Sequence, residues 1–160
     1  MLKARDEQRL RLAFRFAEKA RAAGNHPFGA VLVAPDGEIL MGAENSVVTQ
    51  GSATAHAELN LMLAATRGWE PALLKTCTLY TSGEPCAMCA GAIVWGNVRR
   101  VVFGLDLDGI YTAISAGGID PDAPGLALPS REVFAGAPWP VEVIGPALED
   151  EARQLHEGYW

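Results

Sequence analysis

The sequence predicts an α/β layer structure, and three observations carry that prediction. Between residues 28 and 103, short apolar runs alternate with segments of helical period, in the order strand, strand, helix, strand, helix, strand. The last run, Val98 to Phe103, is Val-rich and reads as a central strand with both faces covered. Ahead of them all, residues 3–23 form an amphipathic helical pattern suited to lie on a sheet.

In order along the chain, the first helix is marked by Leu10, Ala13, Phe14, Ala17, Ala20 and the stem of Arg21, with Leu12 and Phe16 widening the stripe. Gly24-Asn25 ends it. Phe28 to Ala34 is an apolar run suited to a buried strand, and Glu38 to Ala43 returns as its hairpin partner. The turn between them, Pro35-Asp36-Gly37, combines a pre-set proline dihedral with a glycine that accepts positive φ. Asn45 to Ser52 is a polar loop. Thr54 is the expected N-cap of a helix carrying His56 and running to about Arg67, with Leu59, Met62 and Leu63 inward.

Thr76 to Thr81 reads as a strand in which Cys77, Leu79 and Thr81 share one face. Ser82-Gly83-Glu84 leads into a helix with Pro85 at its first position, small residues Ala87, Ala90, Gly91 and Ala92, and Trp95 near its end. Asp108 to Ala116 is a short helix. From Gly117 to Pro140 prolines and glycines dominate, and the stretch reads as irregular, either a functional loop or a surface connection. Trp139 to Ile144 is a last strand and Leu148 to Glu157 a closing helix, before Tyr159-Trp160. No repeat or boundary interrupts residues 1–160, which read as a single domain.

Composition narrows the function classes. The formal net charge is −6, whereas proteins that bind long nucleic acid usually carry a basic surplus that neutralises phosphates. Small-molecule substrates are favoured over nucleic acid. No apolar run approaches the roughly 20 residues of a bilayer span, and Met1 to Arg11 is charged, without the apolar centre of a secretory signal. Three cysteines form no disulfide framework, so a cytoplasmic location is expected.

The chemistry concentrates in two stretches, Thr54-Ala55-His56-Ala57-Glu58 and Glu84-Pro85-Cys86-Ala87-Met88-Cys89. A structural zinc site closes with four protein ligands, whereas a catalytic site leaves one position for water. His56, Cys86 and Cys89 supply three ligands, and Glu58 stands beside them as a carboxylate that need not bind the metal. Zinc brings bound water from a pKa of about 15.7 toward about 7. Glu58 can then relay protons as a general acid/base. Cys86 and Cys89 share a helix face, at an N-terminus that favours thiolate. Taken singly, the histidine would be a packed or surface residue, the Cys-x-x-Cys a redox pair, and Glu58 a solvated charge. Their joint occurrence points to Zn2+.

From His56 to Phe103 the chain resembles the cytidine deaminase-like superfamily of zinc-dependent deaminases, closest to the branch of bacterial guanine deaminases and tRNA adenosine deaminases. The H-x-E and P-C-x-x-C motifs carry the resemblance. A weaker likeness extends to Pro27-Phe28-Gly29-Ala30-Val31 and Asn45. It implies a three-layer α/β/α sandwich around a five-stranded mixed sheet, with subunits that pair as a homodimer near the active site. It implies His56, Cys86 and Cys89 as zinc ligands and Glu58 as the proton shuttle, with Asn45 and the Ala57 backbone contacting the base. Phe28 is expected either to line the pocket or to pack in the core.

The substrate implied is a free nucleobase or nucleoside, foremost a purine such as guanine. The segment Ala92-Ile93-Val94-Trp95 is similar to that of guanine deaminases, whose tryptophan packs on the purine. Where those enzymes carry Gly-Phe-Asp-Asp, this chain has Gly118-Ile119-Asp120-Pro121. Asp120, or Asp106 or Asp108 before it, is the candidate acid for a purine amine. The rival readings are a tRNA wobble adenosine, another amino-heterocycle such as cytosine, a triazine or a pterin, and a non-catalytic zinc module. The last would need a fourth protein ligand.

Overall fold

A computed structural model of the chain describes residues 1–118, 120 and 122–160. The elements are α1 (Ala4–Ala22), β1 (Gly29–Val33), β2 (Ile39–Glu44), α2 (Val47–Gln50), α3 (Ala57–Gly68), α4 (Pro71–Leu74) and β3 (Thr78–Gly83), followed by α5 (Ala87–Trp95), β4 (Arg100–Leu105), α6 (Leu107–Ala116), α7 (Ser130–Ala135), β5 (Glu142–Ile144) and α8 (Glu149–Gln154). The strands form one five-stranded sheet in the order β2-β1-β3-β4-β5. β1 pairs antiparallel with β2 and β3, whereas β3, β4 and β5 run parallel. The sheet is mixed for a local reason. β1 and β2 are joined by the tight turn at Gly37 (φ 96°), closed by a 2.8 Å bond from the Ala34 amide to the Glu38 carbonyl. β3 and β4 are joined through α5, which returns the chain to the same end of the sheet.

Side-chain alternation then sorts the helices into two outer layers. Ala30, Leu32, Leu79 and Val101 pack on one face with Leu61, Ala65, Ala90, Ile93 and Phe134, from α3, α5 and α7. Val31, Val33, Tyr80 and Val102 pack on the other with Leu10, Phe14, Ile110 and Ala152, from α1, α6 and α8. This is the three-layer α/β/α sandwich around a five-stranded mixed sheet that the resemblance implies. β1 is buried at every position and β3 at all but its first, as expected of strands covered on both faces.

At the far end of the sheet, Asp6 is fully buried. It accepts hydrogen bonds from the Tyr80 hydroxyl (2.8 Å) and from Arg100 Nη1 (3.0 Å) and Nη2 (3.1 Å). Burial opposes ionisation of Asp6. The bonds from Arg100, Tyr80 and the Lys3 amide outweigh it and hold the carboxyl at about 2.

Several expectations are corrected. The stretch from Gly117 to Pro140 is not wholly irregular, because Ser130–Ala135 forms α7 and buries Phe134 against α5. A helix of six residues is too short to show an apolar repeat in sequence. α2 and α4 were unmarked for the same reason. In α3 the inward residues are Leu61, Met62 and Ala65, while Leu63 is 50% exposed. Ile119 and Pro121 lie outside the described residues.

Candidate metal centre

Two helix N-termini meet at the ends of the inner strands, and each begins two residues later than expected. His56, not Thr54, is the N-cap of α3, and Cys86 is the N-cap of α5, with Pro85 ahead of the helix. Both residues have extended backbones, which turns their side chains back toward the first amides of their helices. Those amides have no intrahelical acceptors. Ala57 occupies the first helical position, with its N–H facing no partner in its own helix.

His56 Nδ1 lies 3.6 Å from Cys86 Sγ and 3.6 Å from Cys89 Sγ. All three donor atoms fall within 4.8 Å of one another. A tetrahedral zinc ion bonded to nitrogen at about 2.0 Å and to sulfur at about 2.3 Å places those atoms about 3.6 Å apart. The observed spacing therefore fits the metal. Among the described residues the group holds three ligands, without a fourth histidine, cysteine or carboxylate. Hydrogen bonding with Cys89, working against burial and aided by His56, holds the Cys86 thiol well below the usual thiol range. Cys89, the donor of that pair and itself buried, is pushed up. Metal binding would displace its proton.

Glu58 is 4% exposed. Burial raises its pKa, against a bond from Thr81, and its charge acts on those of Cys86 and His56. Thr81 Oγ1 is 2.7 Å from Glu58 Oε1 and 3.1 Å from the Gly83 carbonyl. Thr81 reaches Glu58 because it shares a strand face with Leu79, toward α3.

The approach to this cluster is shaped by the other expected residues. Asn45 is 1% exposed; its Oδ1 accepts from the Val47 amide at 3.0 Å, which leaves the Nδ2 amide to meet a ligand. Its own amide bonds the Phe28 carbonyl (2.9 Å), tying β1 to the loop. Asn60 of α3 pins that loop, donating to the Glu44 carbonyl (3.0 Å) and Ser46 Oγ (2.9 Å). The Phe28 ring lies beside Gly83, where an added Cβ would stand 3.1 Å from it and 2.9 Å from Ile110. Phe28 and Ile110 thus pack closely over Gly83. Phe28 also meets His156 edge-on at 5.2 Å and Trp160 at 6.4 Å.

The chain's last aromatics pack on their own subunit. Trp160 Nε1 donates to His156 Nδ1 at 3.1 Å, and the Trp160 ring lies 5.2 Å from that of His26. The charge of His56 bears on His26, though burial is the larger cause of its lowered pKa. An indole N–H can only donate, so His156 carries its proton on Nε2, a buried atom without a protein partner among the described residues.

Two expected residues are not brought to the cluster. Trp95 sits at the opposite end of α5 from Cys86, 91% exposed, roughly 12 Å along the axis at about 1.5 Å per residue. Asp120 is exposed in a turn, accepting from the Asp122 amide at 2.9 Å. Of the other acids, Asp106 caps α6 through the Gly109 amide (2.8 Å) and Asp108 is exposed. Sequence reasoning missed Thr81, Glu84, Asn60, His26 and His156. Thr81 alone carried a signal, a hydroxyl on the buried face of a strand, which needs a polar partner.

Fold and cluster together define a class: an α/β/α protein with a three-ligand metal cluster beside a buried carboxylate. Comparison with known proteins narrows that class. Residues 3–105 match the family model of the cytidine and deoxycytidylate deaminase zinc-binding region. The chain belongs to this zinc-type deaminase family. It is 40% identical over 159 residues to a probable cytosine deaminase of Schizosaccharomyces pombe, covering 99% of this chain and 94% of that one. It is also 40% identical over 99 residues to a tRNA-specific adenosine deaminase of Haemophilus influenzae, covering 62% of this chain and 57% of the relative. Among solved structures, guanine deaminase from Nitrosomonas europaea superimposes with a TM-score of 0.73 at 25% identity, over 99% of this chain and 85% of that one.

Proposed function

We propose that this protein is a zinc-dependent hydrolytic deaminase of a free nucleobase or nucleoside, foremost a purine such as guanine. The observation that carries this reading is the buried Glu58 carboxylate beside a His56, Cys86 and Cys89 group whose 3.6 Å spacings suit a tetrahedral ion. When bound, zinc supplies a Lewis acid that acidifies a water molecule at neutral pH. All remaining steps belong to the chain's own residues.

Glu58 takes a proton from the attacking water as oxygen bonds to the ring carbon bearing the exocyclic amine. It delivers that proton to the adjacent ring nitrogen, then carries the remaining proton of the added hydroxyl to the amine; the C–N bond breaks, ammonia leaves and the hydroxyl oxygen becomes the carbonyl. Thr81 serves both protonation states of Glu58. Its hydroxyl donates to the ionised carboxylate, and turns to the Gly83 carbonyl when Glu58 holds the proton. Asn45 Nδ2 and the Ala57 amide are placed to hold a ring acceptor, with Phe28 as an apolar wall. Asp120 would have to swing from its turn to reach a purine amine.

The purine reading is supported by the likeness to guanine deaminase over nearly the whole chain. A second reading, cytosine, is favoured by the S. pombe relative, which matches end to end. The net charge of −6 weighs against tRNA. Residues 1–160 act as one domain in this proposal, in a cytoplasmic homodimer. Among the described residues no helix is long and apolar enough to cross a membrane. Exposed Leu63 and Trp95, on the adjacent helices α3 and α5, give the homodimer a surface, and Trp95 would meet a purine only across that interface.

Ammonia release by the zinc-loaded protein tests the proposal against guanine, guanosine, adenine, cytosine, cytidine, an amino-triazine, a pterin and a tRNA anticodon stem-loop. Turnover of guanine is the expected result. Turnover of cytosine with guanine inert would replace the purine reading with the second one, and turnover of the stem-loop alone would overturn both.

A further inference from the structure

Glu84, immediately before Pro85 and Cys86, is buried and binds three donors from two distant segments. Its Oε2 accepts from the Leu107 amide at 3.1 Å. Its Oε1 accepts from the Ser130 amide at 2.9 Å and from Ser130 Oγ at 2.7 Å. Its own amide donates to the Leu105 carbonyl at 2.7 Å, anchoring the residue to the end of β4. Among the described residues no lysine or arginine pairs with it. A buried carboxylate is costly unless its lone pairs are filled. Here they are filled by the opening residues of two helices, α6 and α7.

Those helices bracket residues 117–129, whose described members are all exposed, so one carboxylate fastens both flanks of that stretch to the turn that carries Cys86. α6 brings Ile110 against Gly83 and Phe28, beside the cluster. α7 buries Phe134 against α5, the helix that Cys86 begins. We infer that Glu84 is a positioning residue for the deaminase site: it sets the α6 and α7 walls at a fixed distance from the metal ligands, and acts on substrate binding through them.

The chemistry requires a carboxylate and not an amide. Glutamine has a single acceptor oxygen, so when that oxygen meets Ser130 its NH2 group faces the Leu107 amide, donor against donor. Glu84→Gln therefore releases the α6 flank. Ser130→Ala removes the hydroxyl bond and keeps the amide bond, a smaller loss on the α7 flank. Ser130→Thr restores the hydroxyl.

This inference rests on the deaminase reading, and the test separates the two. Zinc content, steady-state kinetics on the best base and amide hydrogen exchange are measured for wild type, Glu84→Gln, Ser130→Ala and Ser130→Thr. Loss of a charged hydrogen bond should raise KM in Glu84→Gln by about tenfold, with kcat changed less than about threefold. Zinc stoichiometry should hold, and exchange should quicken at Leu107 and across 117–129. Ser130→Ala should show the same pattern at smaller size, and Ser130→Thr should resemble wild type. Loss of zinc, or unchanged KM and exchange in both Glu84→Gln and Ser130→Ala, would overturn the inference. If Glu84→Gln does not fold, the serine pair decides by the same KM and exchange criteria. Wild type inert on every base would sink the substrate reading instead, and exchange would still test the tether.

Discussion

Thr81 Oγ1 lies 2.7 Å from Glu58 Oε1, and the same hydroxyl is 3.1 Å from the Gly83 carbonyl. A strand on the buried sheet and a helix N-terminus are thereby joined at Glu58, the proposed proton shuttle. Glu58→Gln should cut turnover by about 10²–10⁴ while zinc content stays the same. Thr81→Val, which keeps the shape and removes the donor, should slow turnover by roughly tenfold, the loss of one hydrogen bond to a charged group, and Thr81→Ser should recover it. Ammonia release and metal analysis on the three variants check this; Thr81→Val at the wild-type rate would remove Thr81 from the mechanism.

Cys86→Ser should release zinc and lower thermal stability together. The ligand and the N-cap of α5 are the same residue, and an ion bound only by the folded state stabilises it by mass action. Melting curves with and without chelator should differ for wild type and coincide for the variant. A variant whose melting temperature still rises with added zinc would contradict the ligand assignment.

Asp6 predicts an acid limb of stability far from the metal. Its pKa is held at about 2, below its unfolded value, so the stabilisation is complete above about pH 5 and is lost as pH falls through 4 toward 2. The contribution at neutral pH is about 2 kcal/mol. Denaturant unfolding of Asp6→Asn should show a shallower fall in stability between about pH 5 and pH 3 than wild type, and parallel curves would refute the assignment.

Trp95 is exposed on the open face of α5, where Gly91 also faces empty space. If that face joins two copies, Trp95→Glu should shift sedimentation from dimer to monomer with the far-UV spectrum unchanged. Turnover should fall in parallel only if the tryptophan meets the partner's substrate. A wild-type protein that sediments as a monomer would end this reading of the surface.

The outer layers and the strands between them were legible because buried strands and amphipathic helices write their period into the chain. Val31 and Val33 face one layer and Ala30 and Leu32 the other, as strict alternation demands. The clustering of His56, Cys86 and Cys89 was legible because short-range spacing and donor chemistry mark residues that could hold one metal ion. The helix starts were misjudged by two residues, since Thr54 and Pro85 are sound start signals taken alone, and only the folded structure shows His56 and Cys86 serving as N-caps. Leu63 was misplaced for a related reason. Its helix has apolar residues on more than one side, and only the position of the sheet decides which side is inward.

By itself the sequence determined the elements that depend on near neighbours: the α/β alternation, the hairpin turn at Gly37, and the His56, Cys86 and Cys89 group with Glu58 beside it. Tertiary structure alone decided which distant groups meet. Glu84 reaches Leu107 and Ser130, Thr81 reaches Glu58, and Trp160 packs on His26. The physical reason is that a hydrogen bond between segments far apart in the chain leaves no periodic trace in either one. It forms only when the packing of the sheet and its two helical layers brings both ends to the same place.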